Sequence, residues 1–160
     1  MLLKIAKWCR TQNIKVKLHG FDANPNVIAY AKRHCKAFPE ITFLAENIFS
    51  ENFKERKFDV LTCTLFLHHF SEIDLVKLLK QFRLQSETVI INDLHRHQFA
   101  YYSIKWITRF FSKSPMVQND ACLSVWRAFT KKEWKEILRS AEIQEYELAW
   151  RWAFRWKLIF

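Results

Sequence analysis

The sequence predicts an α/β fold, built on a doubly wound and mostly parallel sheet that ends in an antiparallel hairpin. Between residues 14 and 93 the segments follow the order strand, helix, strand, strand, helix, strand, which is typical of a doubly wound sheet. Asp22 ends the first strand-like run, and a helix start follows it. From Tyr146 onward every even position is apolar, a strand-like period of two. This run is long for one strand, so we expect two antiparallel strands that turn near residues 150–153.

Spacing and capping residues predict the amino-terminal elements. Residues 2–12 have helical spacing, and alternating apolar and polar residues predict a strand over 14–21. Asn24 and Pro25 mark a helix start, because asparagine caps helices and proline favours the first helical position. A short strand is predicted over residues 41–45. The apolar stripe expected on the Asn24 helix comprises Val27, Ile28, Ala31 and Cys35.

The later elements are predicted in the same way. Strands are expected over residues 58–64 and 88–92, the second ending at Asp93, and a helix dense in aromatic residues over 98–111. Ser71 and Thr130 are expected to cap two further helices. The apolar residues expected to face the core are Ile73, Val76, Leu79 and Phe82 on the first of these helices and Trp134, Ile137 and Leu138 on the second.

Composition restricts the class of protein. Half of the 160 residues are hydrophobic and 16% are aromatic, which argues against disorder. No apolar run is long enough to span a membrane, and the first residues lack a signal-peptide pattern. The cysteines are Cys9, Cys35, Cys63 and Cys122, and their scattered spacing favours reduced thiols in a cytoplasmic protein over a disulfide framework or a zinc site.

The basic residues are concentrated at the two ends of the chain. The net charge is +10, and residues 1–20 contain basic residues but no acid. An anionic partner is one interpretation, and a solvated basic face is the other. Arg151, Arg155 and Lys157 could follow a phosphate backbone, but the aromatic residues that would stack on bases occupy the opposite face. We therefore do not expect nucleic acid binding.

The sequence contains a single glycine, Gly20. Folds that hold a nucleotide normally use several glycines where the backbone turns tightly or approaches the ligand. Here the carboxylate that ends such a site, Asp22, is present without a glycine-rich loop ahead of it. We therefore expect the chain to be an amino-terminally truncated form of its fold. A carboxylate at this position can bind both ribose hydroxyls of a cofactor or merely cap the turn before Pro25.

Three segments together resemble class I S-adenosylmethionine-dependent methyltransferases. The segment from Gly20 to Pro25 resembles the second motif of that class, and the segment from Phe58 to Phe70 resembles the fourth. Ser124 and the run from Arg127 to Trp134 are similar to a segment of some small-molecule methyltransferases. The resemblance covers essentially the whole chain. It implies a Rossmann-like methyltransferase fold whose central first strand and glycine-rich loop lie upstream of Met1.

The resemblance also implies roles for individual residues. Asp22 would bind the cofactor ribose, with Gly20 and Ala23 beside it. Asn47, which stands where the family usually has aspartate, and Ile48 would contact the adenine. The methionine end of the cofactor would be lined by Cys63, Thr64 and Leu65.

Several residues are candidates for the acceptor side of the site. His69 lies nearest to the expected position of the transferring methyl group and could act as a general base, as could His68, although packing or capping roles remain open for both. The helix over residues 98–111 is either a lid over the substrate or a core or dimer face. His95 and His97 form a His-x-His pair without further ligands, so we expect no metal site. The predicted substrate-binding residues are His68, Tyr101, Tyr102, Trp106 and Arg127.

The expected function is methyl transfer from S-adenosylmethionine, with S-adenosylhomocysteine as product, to a small apolar or aromatic acceptor. The alternatives are a non-catalytic methyltransferase-like fragment that acts by association and a basic nucleic-acid-binding module. We expect one domain over residues 1–160, with a cofactor-binding part (1–97), an aromatic lid or substrate segment (98–129) and a carboxyl-terminal helix and hairpin (130–160). Association into a homo-oligomer through the exposed sheet is also expected.

Overall fold

The computed structural model describes all residues from Met1 to Phe160. The chain divides into two compact units, Met1–Arg56 and Lys57–Phe160, and each contains its own β-sheet. Within each unit, helices pack against strands, as the α/β prediction requires. No helix is long and apolar enough to cross a membrane.

The first unit is a two-stranded parallel sheet with helices. Parallel strands β1 and β2 pair in register from Leu18 opposite Ile41 to Asp22 opposite Ala45. The Asn24 side chain accepts a hydrogen bond from the backbone N–H of Asn26, which confirms the predicted cap. The elements are α1 (Leu2–Thr11), β1 (Leu18–Asp22), α2 (Pro25–His34), β2 (Ile41–Ala45) and α3 (Glu51–Lys54).

In this unit one predicted strand needs correction and one helix was missed. The strand predicted from residue 14 begins only at Leu18. The N–H of Ile14 instead donates to the carbonyl of Cys9 over 2.9 Å, and Asn13 has a φ of 54°, so these residues terminate α1 rather than start a strand. The short helix α3 was not predicted, although Ser50 caps it by accepting from the N–H of Phe53.

Gly20 is explained by a close side-chain contact. It lies inside β1, opposite Phe43 of β2, and its φ is not positive. A Cβ atom at this position would lie 2.6 Å from Cδ1 of Phe43 and 3.0 Å from Cδ1 of Leu2. The first distance is shorter than contacts of Cβ atoms in proteins, so a side chain here would force the Phe43 ring to move, and the glycine leaves room for that ring.

Substituting Gly20 by alanine is expected to lower the free energy of unfolding by about 1–3 kcal/mol, because the new methyl group overpacks against Phe43. Urea unfolding measures the change. In a Phe43→Leu background, which removes the ring, Gly20→Ala should cost far less. An equal cost in both backgrounds would show that the ring is not the reason for the glycine.

The second unit is a four-stranded mixed sheet with helices. Its strand order is β3-β4-β6-β5. Strands β3 and β4 are parallel, whereas β6 is antiparallel to both β4 and β5. The elements are β3 (Phe58–Thr64), a 3-10 turn (Leu67–His69), α4 (Glu72–Gln85), β4 (Ser86–Leu94), α5 (Gln98–Phe111), α6 (Pro115–Arg127), α7 (Lys131–Ser140), β5 (Glu147–Arg151) and β6 (Arg155–Ile159).

The core of this unit lies between the sheet and helices α4 and α7. Trp134, Ile137 and Leu138 are buried on α7, which confirms the predicted face. On α4 the predicted face is only partly right, because Leu79 and Phe82 are buried but Ile73 is 70% exposed. The rest of the buried face comes from Leu75, Leu78 and Gln85.

The predicted carboxyl-terminal hairpin is confirmed. Strands β5 and β6 pair from Glu147 opposite Ile159 to Arg151 opposite Arg155. Ala153 and Phe154 in the connecting turn have φ values of 63° and 53°, the left-handed region that normally selects glycine or asparagine. The turn therefore forms at the predicted place without the residues that usually mark it.

Strands β1 and β3, at whose carboxyl ends the cofactor residues were predicted, are both edge strands. Strand β1 pairs only with β2, and strand β3 pairs only with β4.

Helix α6 was not predicted, although Ser114 caps it and Pro115 occupies its first position.

Candidate functional site

Asp22 lies at the carboxyl end of β1, immediately before α2. Its Oδ1 accepts a hydrogen bond from the N–H of Asn24 over 2.7 Å, while Oδ2 has no partner and the residue is exposed. The bond from Asn24 corresponds to the capping role, one of the two roles that the sequence allowed for Asp22. The second oxygen remains available to a ligand hydroxyl, so capping and ligand binding are compatible in one carboxylate. Ala23 is exposed beside it.

Asn47 follows the carboxyl end of the neighbouring strand β2. Its Oδ1 accepts from the N–H of Phe49 over 3.0 Å, which forms a local turn. The amide NH₂ makes no hydrogen bond, and the residue is exposed. Asn47 can therefore still donate to a ligand nitrogen or accept through its second lone pair, and Ile48 beside it is half-buried. In the first unit Asp22, Ala23, Asn47 and Ile48 thus lie at the carboxyl end of the parallel pair, whereas Gly20 lies in the middle of β1.

Asp93 is the central polar residue of the second unit. It is fully buried at the end of β4. Its Oδ2 accepts from the N–H groups of Leu67 (2.7 Å) and His68 (3.3 Å). Its Oδ1 accepts from the N–H of Leu94 (2.7 Å) and pairs with Nδ1 of His68 (2.6 Å). The three backbone N–H groups are donors, so Asp93 accepts all three of these bonds, and the His68 tautomer with hydrogen on Nδ1 would donate the fourth.

These bonds fix the 67–69 turn against the end of the sheet. His68, a predicted substrate-binding residue, is the middle residue of this turn and is only 4% exposed, so its side chain is buried. His69 is exposed, and its ring centroid lies 4.2 Å from that of His68. Loss of part of its hydration lowers the pKa of His69, and so do His68 and Arg127, while Asp93 and Asp120 oppose the change. The His69 imidazole is therefore neutral at pH 7 and can accept a proton.

Strand β3 ends with Cys63 and Thr64 beside this turn, and Leu65 follows the strand. Cys63 pairs with Ile91 and Thr64 pairs with Asn92 in the β3–β4 register. Leu65 has a φ of 52°, and its N–H donates to the carbonyl of Asn92 over 2.9 Å. A left-handed leucine is strained, and such strain is concentrated at functional sites.

The Cys63 thiol is expected to resist alkylation. Burial, and then the negative charge of Asp93, raise its pKa to about 12, so at pH 8 its thiolate fraction is about a thousandfold below that of an ordinary cysteine. Iodoacetamide treatment of the folded protein followed by peptide mass spectrometry measures the reaction at each cysteine. Cys122 is the internal reference, and the denatured protein, in which both react, is the control. Equal rates for Cys63 and Cys122 in the folded protein would contradict the expectation.

A cavity of about 800 Å³ lies beside helices α5 and α6. Such a volume suits a small organic ligand. The predicted residues Tyr101 and Tyr102 are among those that line it, together with polar groups that the sequence analysis did not single out. The lining residues are Arg96, His97, Gln98, Tyr101, Tyr102, Asn119, Cys122, Leu123, Val125 and Trp126.

The other three predicted substrate-binding residues, His68, Trp106 and Arg127, are not among the residues that line this cavity. Trp106 is 59% exposed on α5 and stacks on Phe110. Arg127, at the end of α6, contributes to the electrostatics of His69. The residues that the sequence analysis missed, Gln98, Asn119 and Trp126, belong to α5 and α6. The sequence signal that could have predicted α6 is Ser114 followed by Pro115, the same combination of a capping residue and a proline that predicts the helix after Asn24.

The carboxyl-terminal basic residues are largely paired. Lys157 contacts Glu147 over 2.8 Å, and Arg151 lies 3.8 Å from the same carboxylate. The hydrogen bond from Lys157 is the main cause that lowers the pKa of Glu147. Two of the three cations that could follow a phosphate backbone thus share one internal counter-ion.

His95 and His97 have ring centroids 5.5 Å apart, and no group of three or more metal-ligating side chains is present.

Comparison with known families identifies the amino-terminal half of the chain. The family described as "Methyltransferase domain" matches residues 2–84, which contain the ends of β1 and β3. No curated protein sequence matches the chain at a significant level.

Solved structures with the same fold share little sequence identity with the chain. The citrinin polyketide synthase CMeT domain is 14% identical with a TM-score of 0.68, and the match covers 98% of this chain and 42% of that one. A plantazolicin methyltransferase, solved in complex with SAH, is 18% identical with a TM-score of 0.65 over 89% of this chain and 54% of that one. Magnesium protoporphyrin IX methyltransferase from Synechocystis, with bound SAH, is 13% identical with a TM-score of 0.55 over 92% and 64%. The chain thus spans about half the length of these structures.

Proposed function

We propose that this chain, which belongs to the family of methyltransferase domains, binds S-adenosylmethionine and directs its methyl group to a small apolar or aromatic acceptor. The observation that carries the proposal is the family match over residues 2–84, more than half of the chain. The matched region contains the two strand ends, those of β1 and β3, at which the predicted cofactor residues lie.

The residues of the first unit fit a nucleoside. Oδ2 of Asp22 is exposed and unpaired at the carboxyl end of a parallel strand, the place where open α/β sheets bind ligands. In the proposal this oxygen accepts from the ribose hydroxyls, while the bond from Asn24 to Oδ1 holds the carboxylate in place. Asn47 offers its free NH₂, and Ile48 an apolar surface, to the adenine.

On the family resemblance, Cys63, Thr64 and Leu65 are proposed for the methionine part of the cofactor. Cys63 presents a neutral thiol, so it adds no negative charge that could capture the methyl group as a competing nucleophile. When bound, S-adenosylmethionine supplies a methyl group on a sulfonium centre and leaves as S-adenosylhomocysteine. The chain contributes position, because orientation alone accounts for much of the rate of such displacements.

The proposed acceptor site is the cavity beside α5 and α6. Tyr101, Tyr102 and Trp126 offer aromatic surfaces, and Gln98 and Asn119 offer hydrogen bonds. This combination favours a flat aromatic molecule with one or two polar substituents. His69, neutral at pH 7, is the proposed acceptor of a proton from an acidic hydroxyl of such a molecule.

The first test is an isothermal titration of the protein with S-adenosylhomocysteine. We expect saturable binding with one site per chain, and little effect of ATP, which serves as an anionic adenine control for the basic surface. Absence of binding would contradict the proposal. Binding of ATP and S-adenosylhomocysteine alike, with ATP binding lost at high salt, would instead favour the alternative of a polyanion-binding basic module. We also propose that the chain self-associates through the edge of β1 or β3. A measurement of the molar mass in solution tests this, and a mass above that of one chain is the expected result.

A further inference from the structure

Helix α5 exposes a row of aromatic side chains. Phe99, Trp106 and Phe110 are 71%, 59% and 75% exposed, and Tyr102 is 57% exposed. Their spacing places all four on one side of the helix, and Trp106 stacks on Phe110 with ring centroids 6.0 Å apart. We refer to Phe99, Tyr102, Trp106 and Phe110 as the α5 aromatic stripe.

Most of this stripe takes no part in the packing of α5 within its own unit; the exception is the Phe99 ring, which stacks on His97 with ring centroids 5.5 Å apart. The helix is anchored through a different face, on which Ala100 and Thr108 are buried, and it packs beside α6. The stripe residues are exposed, so no other part of the second unit covers them. A soluble surface rarely leaves so much contiguous aromatic area without a partner.

The charges around the stripe are of one sign. No aspartate or glutamate occurs between Leu94 and Asn119. Lys105, Arg109 and Lys113 are exposed in this region, and none of them forms an ion pair. The net charge of the whole chain is +10. The partner that complements this surface is therefore apolar with negative charge at its border.

We propose that the α5 aromatic stripe docks on the surface of an anionic lipid membrane. Aromatic rings favour the boundary between headgroups and acyl chains, and flanking lysines and arginines bind anionic headgroups. The 14 residues of α5 lie in the plane of the interface and do not span the bilayer. A second copy of the chain fits less well, because two such faces would bring cations together with no acidic residue to pair with them.

Docking in this orientation has a consequence for the acceptor site. Tyr102 belongs to the stripe and also lines the cavity beside α5 and α6. The cavity therefore opens next to the docked face, where a lipid-soluble aromatic molecule would be concentrated. This consequence rests on the proposed function, whereas the docking itself does not.

Co-sedimentation with vesicles tests the docking. The protein is mixed with vesicles of phosphatidylcholine alone, or of phosphatidylcholine and phosphatidylglycerol in equal amounts. We expect binding to the anionic vesicles only. The double variant Trp106→Ser/Phe110→Ser should bind them on the order of a hundredfold more weakly. Lys105→Glu/Arg109→Glu should lose at least about fivefold for each cation replaced.

Matched controls separate the stripe from general properties of the chain. Trp152→Ser/Ile73→Ser removes two exposed apolar side chains elsewhere (87% and 70% exposed), and Lys32→Glu/Arg33→Glu changes the net charge by the same amount on α2. Both controls should bind as the unmodified protein does, and circular dichroism verifies that every variant is folded. Equal binding to neutral and anionic vesicles, or equal loss in the controls and the stripe variants, would overturn the proposal. A dimer that dissociates in Trp106→Ser/Phe110→Ser, without vesicle binding, would assign the stripe to a second copy instead.

Discussion

Replacing Asp93 by alanine is expected to lower the free energy of unfolding by about 3–5 kcal/mol, the cost of removing one partner from a buried charged network. The carboxylate is fully buried and accepts hydrogen bonds from three backbone N–H groups and the His68 ring. Without it, these donors remain buried and unpaired. The more conservative Asp93→Asn should cost about 1–3 kcal/mol, because an amide NH₂ would face some of the same donors. Urea unfolding measures both changes.

The control for this prediction is Asp59→Asn, which removes an exposed carboxylate from β3 and should change the stability by less than about 0.5 kcal/mol. A double-mutant cycle with His68→Ala isolates the side-chain pair from the backbone bonds. If Asp93→Ala were as mild as Asp59→Asn, Asp93 would not be what fixes the 67–69 turn.

Replacing Asp22 by alanine is expected to weaken the binding of S-adenosylhomocysteine by on the order of ten- to a hundredfold, because hydrogen bonds to a charged acceptor are lost. Asp22→Asn keeps one acceptor oxygen, so its affinity for S-adenosylhomocysteine should lie between those of the unmodified protein and Asp22→Ala. The loss of the cap bond to Asn24 would act on stability rather than on affinity. Thermal unfolding without ligand therefore distinguishes the two roles of this carboxylate, with Asp59→Asn again as the control. An unchanged affinity in a folded Asp22→Ala protein would refute the ribose role.

Elements with strong local signals could be predicted from the sequence. Strand β2, strand β3 and helix α5 have the predicted bounds, because proline, alternation and aromatic spacing mark them locally. The predicted caps at Asn24, Ser71 and Thr130 all accept backbone hydrogen bonds. The mixed topology of the second sheet also followed from local features, since the period of two near the carboxyl terminus identified the hairpin.

Features that depend on tertiary contacts could not be predicted in this way. The buried role of Asp93 arises because β4 and the 67–69 turn meet in space, although a carboxylate after an apolar strand gave a partial signal. The reason for Gly20 is Phe43 on a neighbouring strand, which no local pattern contains. The face of α4 shifted from Ile73 to Leu75 and Leu78 because packing in the second unit, rather than the nearest apolar repeat, decides which side is buried.

The candidate site was predicted unevenly for the same reason. The end of β1 carries its signal in adjacent residues, from Gly20 to Pro25, so Asp22 could be recognised as an exposed carboxylate at a strand end. The acceptor cavity depends on how α5 packs beside α6, and only its two tyrosines were foreseen. Trp106 was assigned to the substrate as part of the aromatic helix, on the resemblance to the family, and it lies on the exposed stripe of α5 and not among the residues that line the cavity.

Photochemical crosslinking of methyl-labelled S-adenosylmethionine, followed by peptide mapping, tests the proposed cofactor site most directly. We predict that the label is found in the peptides that contain Asp22 or Cys63–Leu65, at the ends of β1 and β3, and that excess S-adenosylhomocysteine abolishes it. Absence of protectable label, or label confined to the basic carboxyl-terminal residues 131–160, would contradict the assignment of this chain as a methyltransferase with its cofactor at these strand ends.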